Sequence, residues 1–175
     1  MYTLPQKTLR HKLIGITATI GVLAAGLTAA SPVVAATGDV TTFPAPLGNS
    51  QPGGIALDAT GNFWIGLTAL DQIAKATPTG GLVTIAIPNG NANAGTSSLA
   101  LGTNNRMWLT EKTANRVSYF STLANTYTGF DIPTANSEPM GIAAGPDGNM
   151  WFTEFAGDKI GRVTNTGSIT EFPLA

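Results

Sequence analysis

The chain contains no cysteine and only one histidine, His11, among its 175 residues. The missing cysteines exclude disulfide bonds, thiolate metal ligands, a cysteine nucleophile and lipid attachment through a cysteine. His11 lies among the basic residues near the N-terminus, and the rest of the chain has no histidine to serve as a base or in a Ser-His-Asp triad. Phosphate-binding loops and HExxH metal motifs are also missing.

Charge is equally scarce, because only 11% of the residues are charged. From Thr37 onward the chain carries six basic residues against ten acidic ones, and the basic residues form no cluster. Binding to nucleic acid needs many Lys and Arg side chains on one face to neutralise phosphates. We therefore predict no nucleic-acid partner.

Residues 1–36 have the pattern of a secretory signal peptide. Basic residues between Lys7 and Lys12 precede an uncharged run of 18 residues, Leu13 to Ala30, and small residues ending at Ala36 follow it. We predict a helical signal peptide that is removed near Thr37 and a secreted or periplasmic location. The alternative is an uncleaved N-terminal anchor, because the apolar run is close to the length that spans a bilayer.

The remaining sequence is a repeat. Its tryptophans are spaced by 44 and 43 residues, and each lies in a similar segment followed by a Thr-rich run that ends in Pro. The three aligned segments are GIALDATGNFWIG from Gly54, SLALGTNNRMWLTE from Ser98 and GIAAGPDGNMWFTE from Gly141, with tryptophans at Trp64, Trp108 and Trp151. Turn residues separate four short runs rich in β-branched and aromatic residues in each unit.

A period of about 40 to 45 residues with four strands per unit is typical of propeller blades. We predict an all-β fold, a partial β-propeller of three four-stranded blades at about residues 51–94, 95–138 and 139–175. One extra strand and a linker, residues 37–50, should precede them. The tryptophans should pack between neighbouring blades.

Three blades are fewer than the roughly four to eight that close a propeller ring. The outer faces of the first and last blades should therefore stay uncovered in a single copy of these residues, which makes them sites of association. Two explanations are open. Copies of the chain form a homo-oligomer that completes the ring, or further C-terminal blades of a longer protein do so.

The segment GIAAGPDGNMWFTEFAGDKIGRVTNTGSITEFPLA, residues 141–175, resembles the repeat of the streptogramin B lyases, also called virginiamycin B lyases. The first two units fit the same repeat more loosely. The resemblance implies a seven-bladed propeller and a C–O lyase that opens the ester of a cyclic depsipeptide antibiotic, an antibiotic-resistance activity. It also implies a magnesium ion held by two glutamates, and a histidine base.

The family motif Glu-Pro-His-Gly-Ile is matched from Glu138 to Ile142, and the second glutamate is matched by Glu154. By resemblance, Glu138 and Glu154 are the candidate metal ligands and Mg²⁺ is the candidate cofactor. The base position holds Met140, and a second family histidine falls at Ser97. A thioether has no lone pair basic enough to take a proton from carbon. We therefore assign no catalytic residue and no other cofactor-binding residue.

Two functions follow from these residues. The missing base favours an exported binding or scaffold module that presents its rim to a peptide, protein or glycan. The alternative is a Mg²⁺-dependent C–O lyase or a fragment of one. Two carboxylates are few for a metal ion, so Glu138 and Glu154 have a second interpretation as solvated or hydrogen-bonded rim residues.

Several rim positions recur from blade to blade. Glu111 repeats the position of Glu154, which favours an architectural role for both. Asp71, Asn115 and Asp158 recur before each third strand, where short polar side chains are expected to bond their own backbone.

Overall fold

The computed structural model describes residues 48–87 and 94–175, which form three four-stranded antiparallel sheets and one short 3₁₀ turn, Thr103–Asn105. The predicted signal peptide and the strand predicted from Gly38 lie outside the described residues. Within residues 48–87 and 94–175, no helix has the length and apolar character needed to cross a membrane.

Each sheet is formed by four consecutive strands. The first contains β1 (Pro52–Leu57), β2 (Phe63–Leu67), β3 (Gln72–Ala76) and β4 (Leu82–Ala86). The second contains β5 (Thr96–Leu101), β6 (Arg106–Glu111), β7 (Arg116–Ser121) and β8 (Thr126–Asp131). The third contains β9 (Pro139–Ala144), β10 (Met150–Glu154), β11 (Lys159–Val163) and β12 (Ile169–Pro173). The predicted all-β fold of three blades is confirmed.

Tight turns join the strands within each blade. Their residues adopt left-handed backbone conformations, with φ of 83° at Gly61, 57° at Asn104 and 75° at Gly148. Glycine and asparagine tolerate this region better than other residues. The turn residues of the repeat therefore explain why each strand folds back on the one before it.

The first two strands of every blade share an irregularity. Their pairing shifts register between Pro52 and Ile55, between Thr96 and Leu99, and between Phe152 and Glu154. All three shifts lie at the same end of the blade, where the second strand ends and the first begins. We call this edge the rim. Bulges re-aim side chains and are common beside functional sites.

The core lies between the blades. In each blade the face that carries the tryptophan is here called the back face, and the opposite face is called the front face. The back faces of the first and second blades each pack on the front face of the next blade. Trp64 packs with Leu99, Met107 and Phe120 of the second blade. Trp108 packs with residues of the third blade that include Met150, Phe152 and Val163. The predicted packing role thus describes Trp64 and Trp108, whereas Trp151 is half-buried on the back face of the third blade.

Candidate functional site

The structure brings Glu138 and Glu154 to the same rim. Glu154 ends β10 and is paired with Pro139 in the sheet, and Glu138 directly precedes Pro139. The backbone N–H of Phe155 also donates to the carbonyl oxygen of Glu138, at 3.2 Å. The two carboxylates that the sequence singled out are therefore carried by adjacent backbone segments. Their side chains have very different surroundings.

Glu154 is buried, with 1% of its side chain exposed, on the front face of the third blade. Neither carboxylate oxygen has a hydrogen-bond partner among the described residues. The nearby Ser137 hydroxyl donates instead to Oδ1 of Asn115, at 3.0 Å. Burial, followed by the negative charge of Glu171, raises the pKa of Glu154 above its ordinary value. Glu154 is thus buried rather than solvated.

Lys159, the cation near Glu154, forms its ion pair with another carboxylate. Lys159 Nζ lies 2.9 Å from Oε2 of Glu171, and it also donates to the Thr134 hydroxyl. The Thr134 N–H and hydroxyl donate to the two oxygens of Glu171 at 2.9 and 3.0 Å. Burial raises the pKa of Glu171, but the bonds from Lys159 and Thr134 outweigh it and keep that pKa below its ordinary value. Lys159 therefore neutralises Glu171 and leaves Glu154 without a direct ion pair.

The second blade shows what a satisfied carboxylate at this position needs. Glu111 is completely buried and accepts hydrogen bonds from the Ser118 and Tyr127 hydroxyls. Burial, together with the charge of Glu111, raises the pKa of Tyr127, so the phenol stays a donor. In the third blade the same sheet positions hold Gly161 and Ile169, which have no donor side chains. The loss of two donors explains why Glu154 has no partner while Glu111 does.

Glu138 is half-exposed and lies 3.1 Å from Lys112 Nζ. Its backbone is left-handed, with φ of 50°, and the matching positions Gln51 and Gly95 have φ of 45° and 67°. The blade imposes this conformation whatever the side chain is. For a residue with a Cβ this conformation costs on the order of 1 kcal/mol or more. Backbone preference therefore does not explain why a glutamate occupies this position.

Met140 and Ser97 occupy equivalent places on the first strands β9 and β5. Met140 is 38% exposed, and its carbonyl oxygen accepts a bond of 2.6 Å from the Thr110 hydroxyl of the second blade. Ser97 is half-buried. Neither side chain is a base at neutral pH, and residues 48–87 and 94–175 contain no histidine.

These residues fit a divalent cation in part. A buried carboxylate without donors is stabilised by a positive charge, and a hard ion such as Mg²⁺ accepts carboxylate oxygens while keeping several waters. Glu154 is such a buried carboxylate without donors, and Glu138 lies on the adjacent backbone segment. Within the described ranges no group of three or more Asp, Glu, His or Cys side chains is arranged to hold a metal. Water or a ligand must therefore complete the coordination of any ion bound by these two carboxylates.

Two features of this rim were not predicted. The bonds among Lys159, Glu171 and Thr134 join the outer strand β12 to the loop after β8, and nothing in the repeat pattern marks them. The partners of Glu111 were detectable, since the positions of Ser118 and Tyr127 hold residues without donor side chains, Gly161 and Ile169, in the third unit. Asp71 and Asn115 also differ from expectation, because both accept from the loop before the next blade, at the N–H groups of Ala94 and Ser137.

A family model and the most similar solved structures that follow point to the same family. A model of the virginiamycin B lyase family matches residues 31–175. The solved virginiamycin B lyase from Staphylococcus aureus is 33% identical, with a TM-score of 0.76 over 81% of this chain and 47% of its own. A streptogramin B lyase structure is 33% identical, with a TM-score of 0.75 over 79% of this chain and 45% of its own.

A third structure is a catalytically inactive histidine-to-alanine variant of the Staphylococcus aureus lyase with quinupristin. It is 35% identical, with a TM-score of 0.70 over 74% of this chain and 43% of its own. The chain thus spans less than half the length of these relatives. A comparison with curated proteins gives no match.

Proposed function

This chain belongs to the virginiamycin B lyase family, and from that premise we propose that its three blades bind a ligand at the rim without converting it. The ligand class that we favour is a cyclic depsipeptide of the streptogramin B type. A peptide, protein or glycan of the cell envelope is the broader class to which such a binding module belongs. The observation that carries the proposal is Met140 at the position of the family's histidine base.

The chemistry of ester elimination explains why this position matters. Removing a proton from carbon beside an ester carbonyl needs a base whose pKa is close to the working pH, and histidine is the usual group. The thioether of Met140 is not such a base, and the hydroxyl of Ser97 loses its proton only in strongly alkaline solution. General-base catalysis contributes about 10²- to 10⁴-fold to a rate. Binding does not depend on this group.

A relative offers a parallel for binding without turnover. The Staphylococcus aureus variant with one histidine changed to alanine is catalytically inactive, and its structure is one with quinupristin. This chain has no histidine at any described position. We therefore propose that this chain, like the variant of the relative, holds a ligand without turning it over.

If an ion is bound, Glu154 and Glu138 are the residues that would hold it. A bound Mg²⁺ would supply a positive charge for a ligand carbonyl oxygen. Glu154 contributes a buried carboxylate whose orientation is restricted by the packed blade interface. Lys112 competes with the ion for Glu138, because the two side chains already form an ion pair.

The experiment measures binding and turnover in the same samples. The chain is titrated with quinupristin in the calorimeter, with and without Mg²⁺, and the products are analysed by mass spectrometry. We expect measurable binding and an intact ester ring. The Glu154→Gln variant should bind at least about tenfold more weakly in Mg²⁺, whereas Asp131→Asn, which neutralises an exposed rim carboxylate, should bind like the parent. Ring opening by the unmodified chain, or no binding at all, would contradict the proposal.

A second candidate function is the lyase itself, and the unpartnered oxygens of Glu154 beside Glu138 favour it. The double substitution Ser97→His and Met140→His tests whether the bases are all that is missing. Under the lyase hypothesis the variant should open the ester ring in Mg²⁺ and lose that activity in EDTA. Matched substitutions at the exposed Leu123 and Thr60, Leu123→His and Thr60→His, control for nonspecific histidine catalysis. Inactivity of the Ser97 and Met140 double variant would count against the lyase hypothesis for these blades.

Export is part of the proposal. The apolar N-terminal segment supports removal of residues 1–36 in a secreting host. The intact mass of the exported chain should correspond to a start near Thr37. A chain that keeps residues 1–36 and sediments with membranes would support the anchored alternative.

A further inference from the structure

The two interfaces between blades are repeats of each other. At the first, Trp64 on the back face of one blade packs on a front face formed by Leu99, Met107 and other apolar residues of the next. At the second, Trp108 packs on Met150 and Phe152 in the same way. Both tryptophans are at most 1% exposed. One kind of apolar back face thus fits one kind of apolar front face twice in this chain.

Polar contacts across the two interfaces also repeat. At each interface a threonine hydroxyl of one blade donates to a carbonyl oxygen on the first strand of the next, although the positions differ: Thr68 donates to Thr96 at 2.8 Å, and Thr110 donates to Met140 at 2.6 Å. An Asp or Asn side chain then accepts from the loop that leads into that strand, as Asn115 does from Ser137 at 2.8 Å. Each interface therefore has an apolar centre and two polar contacts at the rim.

The back face of the third blade carries the same set of groups. Trp151 is half-buried and stacks on Phe172 at 5.5 Å between ring centroids. The Thr153 hydroxyl accepts from the N–H of Gly141 at 2.9 Å, just as Thr110 accepts from Ser98, and has no described partner for its proton. Asp158 is exposed and left-handed like Asn115, and no hydrogen bond joins its side chain to another described residue.

The front face of the first blade carries the matching apolar groups. Ile55, Leu57 and Phe63 are 62%, 52% and 38% exposed. The counterparts of Ile55 and Phe63 in the second blade, Leu99 and Met107, are 5% and 0% exposed because the back face of the first blade covers them. Gly53 is exposed and holds the position on β1 that Met140, which accepts from Thr110, holds on β9.

We propose that a second copy of this chain covers these surfaces head to tail, with the back face of the third blade of one copy on the front face of the first blade of the other. The internal interfaces are the template, since each open face is one half of a contact that the chain already makes twice. Thr153 then donates to the Gly53 carbonyl of the second copy. Two copies bring six blades together, within the range of about four to eight that closes a ring, and a head-to-tail contact that closes makes a ring of defined size.

This inference goes beyond the proposed function and does not depend on it, since it involves neither a ligand nor Glu154. The test uses the protein purified after expression of the full 175-residue sequence. Light scattering coupled to size-exclusion chromatography, without any ligand, measures its mass. We expect a dimer that dissociates on dilution, and a protein that stays a monomer at all concentrations would overturn the proposal.

Two variants determine which faces meet. Phe63→Glu places a charge in the front face, and Thr153→Arg places one in the back face. Each variant alone should associate at least about a hundredfold more weakly, because the contact would bury an unpaired charge. Leu123→Glu is the matched control, since Leu123 is 78% exposed on a turn outside both faces and should leave the dimer intact.

Mixing the two variants gives the sharpest outcome. Each variant keeps one undamaged face, so an equimolar mixture should form a one-to-one dimer through the intact front of one copy and the intact back of the other. The same result shows that both variants are folded. If the mixture stays monomeric while the parent is a dimer, or if either variant alone dimerises like the parent, head-to-tail pairing is wrong.

Discussion

At the scale of single residues, equivalent carboxylates in neighbouring blades have opposite environments. Glu111 accepts from Ser118 and Tyr127, whereas the oxygens of Glu154 have no described donor, although both side chains are buried. Leaving a buried polar group without a hydrogen bond costs about 1–3 kcal/mol. Glu154 therefore opposes folding of the unliganded chain, while Glu111 contributes to its stability.

The raised pKa of Glu154 predicts how stability changes with pH. Below its ordinary pKa of 4.5 the group is neutral in both states, and its ionisation destabilises the folded state progressively as the pH rises from there through the raised folded-state pKa. Glu154→Gln should remove this pH dependence and leave the chain at least as stable as the parent at pH 8. Thermal unfolding in EDTA between pH 4 and 8 measures the effect.

The matched control for this change is Glu111→Gln. This substitution replaces the carboxylate that accepts from the Ser118 and Tyr127 hydroxyls with a neutral amide, so it should destabilise the chain by about 1–3 kcal/mol at neutral pH. A Glu154→Gln variant that loses stability at pH 8 as Glu111→Gln does would contradict the environment described for Glu154.

Glu138 allows stability and binding to be separated. Glu138→Gly suits the left-handed backbone, since φ is 50° there, and removes an exposed ion pair with Lys112 that is worth about 0–1 kcal/mol. We expect the free energy of unfolding to change by less than about 1 kcal/mol while the affinity for Mg²⁺ falls at least about tenfold. Urea unfolding and calorimetric titration with Mg²⁺ test the two parts, and unchanged Mg²⁺ affinity would remove Glu138 from the site.

At the scale of strands, close packing across a pair limits which residues a position accepts. Gly161 of β11 lies directly opposite Phe152 of β10, and the Phe152 ring covers the place that a Cβ would take. A Cβ built at Gly161 would lie 2.1 to 2.6 Å from ring atoms. Glycine at this position therefore both provides space for the ring and removes the donor that Ser118 supplies in the second blade.

Gly161→Ala should destabilise the third blade by about 1–3 kcal/mol, because either the Phe152 ring or the strand must move. Gly141→Ala on β9 is the control, since the nearest atom to its added Cβ is the Thr153 hydroxyl oxygen at an ordinary 3.5 Å. Urea unfolding of the two variants measures the difference. Equal stability of the two would show that the ring over Gly161 has room to move.

At the scale of the whole molecule, stability comes from contacts between blades. Trp108 lies in the cluster between the second and third blades and is completely buried, whereas Trp151 occupies the equivalent place on a face that no described residue covers. In repeat proteins of this kind, stability is approximately the sum of each unit and its contacts with its neighbours. The same residue type should therefore contribute very differently at the two positions.

We expect Trp108→Ala to destabilise the chain by about 3–5 kcal/mol, the usual cost of removing a large buried aromatic side chain. Trp151→Ala should cost less than about half of that in samples dilute enough to be monomeric. Chemical unfolding followed by circular dichroism gives both values without relying on tryptophan fluorescence. A larger loss for Trp151→Ala would mean that its face is covered within one copy.

The amino-acid sequence by itself determined the repeat, the four-stranded unit, the turns and the positions of Glu138, Glu154 and Met140, because these depend on residue type and on spacing within about 44 residues. The tertiary structure alone decided that Glu154 is buried without a donor and that Lys159 forms its ion pair with Glu171. It also decided that Asn115 accepts a hydrogen bond from the loop before the next blade. These outcomes depend on contacts between blades, which join residues that are distant along the chain. A periodic pattern predicts such neighbours only where every blade repeats them, and the candidate site lies where the third blade departs from the second.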